Sequence, residues 1–246
     1  MKKNQLNHCL IYGTLGFIIL FSSCKKEAEI TTTTSTTAYE NGVFITNEGK
    51  FGEGTGTVSF FNRSTKTVSN DLFQNINGRP LGNVLQSMEV FNNKGYLLVN
   101  NGSKIEVVTM TDFKESGVIK DLIMPRYFLG IDNNKAYVSQ WGTGGIEGSI
   151  KVINLNDNTI SKTISTGKGP EVIVKVGNSV YVANSGGFAN DSTVSIISTI
   201  DDSVIKTLVV GYNPNSLQVD ANGKIWVLCV RFAIIQKENN SILKFQ

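Results

Sequence analysis

This 246-residue sequence predicts an all-β fold, a β-propeller built radially from repeated blades of about 44 residues, on three observations. Glycine, proline and an aromatic-centred apolar run recur in register: Gly167 and Gly211 are 44 residues apart, Pro170 and Pro214 also 44, and Tyr181 and Trp226 45. The apolar runs are short, rich in Val, Ile, Thr and aromatic residues, and bounded by Asn, Asp and Gly, which is the chemistry of strands joined by hairpins. Beyond Cys24 no stretch sustains the 3.6-residue apolar period of a helix. A period of this size marks a supersecondary unit that buries its faces only by stacking on copies of itself, and it fits a four-stranded blade around a channel.

The elements follow in order along the chain. The aromatic-centred strand recurs around Phe44, Leu97, Tyr137, Tyr181 and Trp226, and the first gap, 53 residues against 40 to 45 for the others, implies an insertion. A further strand follows the first four of these: Val58–Phe61, Ile105–Val108, Ile150–Ile153 and Val194–Ile197. Asn156-Asp157-Asn158, Asp201-Asp202 and Asn222-Gly223 sit between apolar runs, where residues tolerant of positive φ make tight turns. The repeating domain spans 40–246, which is about 4.7 units, and residues from Val230 onward depart from the pattern, with only Ser241–Phe245 reading as another strand.

The phrases Asn178-Ser-Val-Tyr-Val-Ala-Asn184, Ser192-Thr-Val-Ser-Ile-Ile197 and Val204-Ile-Lys-Thr207, followed by Gly211-Tyr-Asn-Pro214, resemble YVTN-type, YncE-like β-propeller repeats. Ile45-Thr-Asn-Glu-Gly49-Lys-Phe-Gly52 with Gly56-Thr-Val-Ser59 resembles the first blade of lipoprotein members from Bacteroidetes-like bacteria. That resemblance implies a ring of about seven blades and, for some members, capture of corrinoids at the cell surface. Against seven blades this chain reads as a shortened, incomplete ring.

Lys2 and Lys3, the apolar run Leu10–Phe21 and then Ser22-Ser23-Cys24 form a charged, apolar and small-residue series. The run is too short for a bilayer helix, which needs about 20 residues. It resembles a lipoprotein signal over 1–23, with Cys24 as the acylated first residue of the mature chain. Lys25-Lys-Glu-Ala-Glu29 resembles a surface-export signal, and the Thr/Ser tract within 24–39 reads as a flexible tether. The expected location is the outer membrane, lipid-anchored and facing the cell surface. The formal charge of +3 owes two units to Lys2 and Lys3, so no nucleic-acid partner is implied. Among the three cysteines only Cys229 stays unmodified in the mature chain, which excludes an intramolecular disulfide.

The single histidine, His8, falls in the signal. Without imidazole there is no Ser-His-Asp triad, His-ligated metal or His general base, so the expectation is a binding module and not an enzyme, with no metal and no cofactor. Asp132, Asp157, Asp201, Asp202 and Asp220 read as turn caps. The glycines at 49, 52, 54 and 56 lack the Gly-Lys-Ser/Thr ending of a phosphate loop. Candidate ligand residues follow each aromatic-centred strand, read as the first strand of its blade: Asn47, Glu48, Phe51, Asn100, Asn101, Gln140, Trp141, Asn184 and Phe188. In a ring these positions fall at one end, where amides and aromatic planes suit a bulky ligand with an apolar body and a polar rim, such as a corrinoid. An outer-membrane transporter or another envelope protein is the expected partner. The alternatives are a protein-interaction propeller without a small ligand, or a histidine-independent propeller enzyme.

Overall fold

The computed structural model describes residues 39–230. The signal, Cys24, the tether up to residue 38 and the segment 231–246 lie outside the described residues.

Among the described residues five antiparallel sheets follow one another. Sheet 1 holds β1 (Gly42–Asn47), β2 (Thr57–Asn62) and β3 (Thr67–Ser69), and a short helix α1 (Leu72–Asn77) leads on from it. Sheet 2 holds β4 (Leu85–Phe91), β5 (Lys94–Val99), β6 (Lys104–Thr109) and β7 (Glu115–Ile119). Sheet 3 holds β8 (Pro125–Asp132), β9 (Lys135–Gln140), β10 (Ser149–Asn154) and β11 (Thr159–Ser165). Sheet 4 holds β12 (Pro170–Val176), β13 (Ser179–Asn184), β14 (Thr193–Ser198) and β15 (Ser203–Val209), and sheet 5 holds β16 (Pro214–Val219) and β17 (Ile225–Cys229). Strands pair in chain order within every sheet, and β4, β8, β12 and β16 neighbour one another. This is the radial arrangement of a β-propeller, with those strands innermost.

One detail of the repeat differs from the sequence reading. The aromatic-centred strand opens only sheet 1; in sheets 2 to 5 it is the second strand. The innermost strand starts at Leu85, Pro125, Pro170 or Pro214, each paired with the end of the aromatic-centred strand. Gly-x-x-Pro therefore introduces a strand of its own, which proline permits because it stands at the strand's first position. Sheet 1 has no counterpart of this inner strand among the described residues.

The core lies between sheets, and period-2 alternation divides it. Along β5, Leu97 and Val99 join Val58, Phe60 and the α1 residues Leu72 and Phe73, while Tyr96 and Leu98 join Phe128, Ala136 and Val138 of sheet 3. Along β9 the next residue, Tyr137, faces the other way, toward Val180 and Val182 of sheet 4. A central strand thus has two buried faces and no polar one, which is why its sequence reads as a continuous apolar run. Truncating such a residue, Leu97→Ala for example, costs about 2–5 kcal/mol. Polar ties supplement the packing: the Tyr137 hydroxyl donates to the Asp202 carboxylate, which Lys135 Nζ also meets at 2.9 Å. Burial first, then that carboxylate, raises the Tyr137 phenol pKa.

Turn chemistry behaves as its residue types dictate. Asn93, Asn158 and Asp202 take positive φ of 58°, 59° and 55°, and Asp220 Oδ1 accepts from the backbone N–H of Asn222 and Lys224, both at 2.9 Å. The insertion expected in the first gap contains α1. Its six residues are too few to display a helical period, so the sequence does not mark it as a helix.

Candidate ligand site at one end of the sheets

The register places Asn47, Gln140 and Asn184 at equivalent ends of β1, β9 and β13. Their amides turn inward. Asn47 Nδ2 donates to Thr57 Oγ1 at 3.1 Å and Ser59 Oγ at 3.0 Å, and Asn184 Nδ2 does the same to Thr193 and Ser195, both at 3.0 Å. Gln140 Nε2 donates to Ser149 Oγ at 3.1 Å while its Oε1 accepts from Ile123 N at 3.0 Å. These side chains staple adjacent strands at one end of the sheet, and Gln140 and Asn184 are buried. The equivalent position in sheet 2 is Val99, not Asn100. Asn100 instead opens a 3-10 turn and donates Nδ2 to Pro125 O at 3.1 Å, tying sheet 2 to sheet 3. Asn101 and the Glu48 side chain are exposed, and Phe51 stands on the loop 48–56, which Gly52 N anchors to Asn83 Oδ1 at 3.0 Å.

Two of the nine candidates come into ring contact. Trp141 and Phe188 meet edge to face at 5.3 Å between centroids, although they belong to loops of different sheets. Glycine permits this: Phe188 N donates to Gly145 O at 3.0 Å, and a Cβ on Gly187, whose φ is +61°, would stand 2.0 Å from that same oxygen. Phe188 remains 70% exposed.

Beneath this pair lies a feature absent from the sequence reading. The Arg126 guanidinium carbon sits 4.1 Å from the Trp141 ring centroid, and the same guanidinium grips Glu171, with Nη2 at 2.9 Å from Oε1 and Nε at 3.1 and 3.2 Å from the two oxygens. Both side chains are largely buried, 15% and 7% exposed. They occupy one position on β8 and β12, each immediately after proline and inside a register shift. Such a bulge re-aims the side chain. Burial raises the Glu171 carboxyl pKa, and Arg126 opposes that rise. The Trp141 indole nitrogen makes no hydrogen bond of good geometry, but its N–H faces the carboxylate and favours its charged form. The signal in the sequence is the spacing: two opposite charges 45 residues apart, one repeat, lie side by side across a sheet boundary.

The arrangement presents an aromatic surface on a rigid, charge-neutral base. It suits stacking against a planar or apolar ligand, and the buried carboxylate is already committed to Arg126. Among the described residues no group of three or more His, Cys, Asp or Glu side chains is placed to hold a metal ion.

A family model described as a domain of unknown function, DUF5074, matches residues 41–241. No curated protein matches the chain. Among solved structures it is similar to Kuenenia stuttgartiensis hydrazine synthase, at 17% identity and a TM-score of 0.61 over 84% of this chain and 58% of that one. It is similar also to the WD40 β-propeller domain of Doa1, at 14% identity and 0.58 over 76% and 57%. A third is the β-propeller domain of Cps50 (Swd1) from Myceliophteria thermophila, at 10% identity and 0.56 over 77% and 59%. At such identities the likeness is one of fold, and it agrees with the sheet topology. The chain spans less than three fifths of the length of these structures.

Proposed function

The chain belongs to the DUF5074 family, and from that premise we propose that it is a non-enzymatic binding module whose ligand rests on the Trp141–Phe188 surface. The observation that carries this reading is the exposed Phe188 ring held against Trp141 over a buried Arg126–Glu171 pair. An aromatic ring 70% exposed contributes little to the fold's own packing, while Trp141 and the glycine contacts hold it in place. The finer reading takes a corrinoid or another bulky nutrient as ligand. It places the protein among YVTN-type, YncE-like lipoproteins of Bacteroidetes-like bacteria, anchored through Cys24 in the outer membrane and passing its ligand to a transporter. The lipobox-like Ser22-Ser23-Cys24 and the first-blade phrase Ile45–Gly52 support it.

Titration of the full chain with cobalamin, followed by tryptophan fluorescence, tests the proposal. Saturable binding at micromolar concentration, weakened about tenfold or more in Phe188→Ala, is the expected result. No response at that concentration removes the corrinoid, and binding indifferent to Phe188 removes the site. A protein-interaction role is the second reading, favoured by the exposed apolar side chains Val209, Trp226 and Leu228 on sheets 4 and 5. It predicts a defined envelope partner, lost on Trp226→Asp, and indifference to small ligands.

A further inference from the structure

Sheet 2 breaks a pattern that sheets 1 and 4 keep. Sheets 1 and 4 carry the same neutral staple at one end, Asn47 with Thr57 and Ser59, and Asn184 with Thr193 and Ser195. At those three positions the strand register gives sheet 2 Val99, Lys104 and Glu106. The amide and both hydroxyls have thus been exchanged for an apolar side chain and two charges. The Glu106 side chain is only 3% exposed and holds two cations, Arg79 Nη2 at 2.9 Å and Lys104 Nζ at 2.5 Å.

Arg79 arrives from the inserted segment after α1, the part of the chain that lengthens the first repeat. Several contacts fix that segment on sheet 2: Asn77 Nδ2 donates to Phe113 O at 3.2 Å, Glu115 N donates to Asn77 Oδ1 at 2.9 Å, and Arg79 Nε meets Glu115 Oε1 at 2.9 Å. The Arg79 guanidinium also lies 4.9 Å from the Phe73 ring centroid. Arg79, Lys104, Glu106 and Glu115 border an open cleft of about 390 Å³, lined further by Gly117, Val118 and Lys120. The cleft carries three cations against two carboxylates, and among the described residues Lys120 has no ion-pair partner.

We propose that this cleft is an oxyanion subsite, binding a small molecule through a carboxylate or phosphate group. One cation would suffice to compensate a buried carboxylate, and the second adds positive charge that Glu106 orients. Lys104 uses one of its three ammonium donors on Glu106, and Lys120 has all of its own available, so an incoming oxyanion finds charge-assisted donors already in position. The volume falls within the range of small-ligand sites, about 300–1,000 Å³. The site is independent of the aromatic surface, since its residues come from the insertion and sheet 2, not from sheets 3 and 4.

Isothermal titration of the full chain with inorganic phosphate and, separately, citrate, against sodium chloride at matched ionic strength, tests it. The expected result is saturable binding of at least one oxyanion in the millimolar range or tighter, and weakening by about tenfold in Lys120→Met. Because Lys120 takes no part in the buried pairs, that variant keeps the wild-type melting temperature. Phosphate and citrate then tell which oxyanion class fits. Heats that follow ionic strength alone, absence of binding to both anions, or undiminished affinity in Lys120→Met would each overturn the proposal.

Discussion

Arg126→Met isolates what the buried ion pair does. Methionine keeps an apolar stem against Trp141 but removes the guanidinium donors from Glu171, whose side chain is 7% exposed. Breaking such a pair from one side costs about 3–5 kcal/mol, because an uncompensated charge stays buried. With a urea slope of about 2–3 kcal/mol/M, the unfolding midpoint should fall by about 1–2.5 M. The double variant Arg126→Met/Glu171→Leu removes both charges and should recover most of that loss, since apolar replacement of a buried pair is often neutral or stabilising by about 1–4 kcal/mol. Acid should rescue the single variant in part. Burial already raises the Glu171 pKa, and Arg126 chiefly opposes the rise, so its removal raises that pKa further. A carboxyl with a folded pKa above its unfolded value keeps its contribution below the unfolded value, about 4.3, and loses it as pH rises through the folded one. The single variant's deficit should therefore shrink as pH is lowered from neutral toward the ordinary carboxylate range. Urea unfolding followed by circular dichroism at neutral and mildly acidic pH measures all of this. A single variant no less stable than the double at neutral pH would refute the reasoning.

Three further outcomes are expected. Asn184→Ala deletes two hydrogen bonds, to the half-buried Thr193 and the buried Ser195 hydroxyls, and should cost about 1–3 kcal/mol in the same assay. Phe188→Ala, on a side chain 70% exposed, should change stability by no more than about 0.5 kcal/mol, so any loss of ligand binding reports on contact and not on folding. Gly187→Ala puts a Cβ where Gly145 O stands and imposes left-handed backbone on alanine. It should cost about 1 kcal/mol or more and free Phe188 from Trp141, seen as a shifted tryptophan emission and faster proteolysis near residue 188.

Much of the fold is legible in the amino-acid order, and the reasons are local. Leu97 and Tyr137 mark the repeat because a strand buried on both faces has to be apolar throughout, and Asn158 and Asp202 mark turns because positive φ selects their side chains. The candidate site is less legible. Asn47 and Asn184 have the composition of ligand contacts, but their amides meet hydroxyls one strand away, a pairing that depends on register. Trp141 and Phe188 are legible as aromatics, whereas their contact depends on two loops of different sheets meeting at Gly145 and Gly187.

The sequence by itself determined the strand content, the period near 44 residues and the class of fold, because propensity, alternation and turn chemistry act over a few neighbouring residues and the repeat multiplies the signal. Only the tertiary structure decided that the Gly-x-x-Pro lead-in opens the innermost strand, that Arg126 and Glu171 neutralise each other beneath Trp141, and that sheet 2 gathers charge where sheets 1 and 4 keep a neutral staple. Those outcomes rest on which faces and loops of successive sheets meet, and contact between residues one repeat apart arises only when the sheets are stacked.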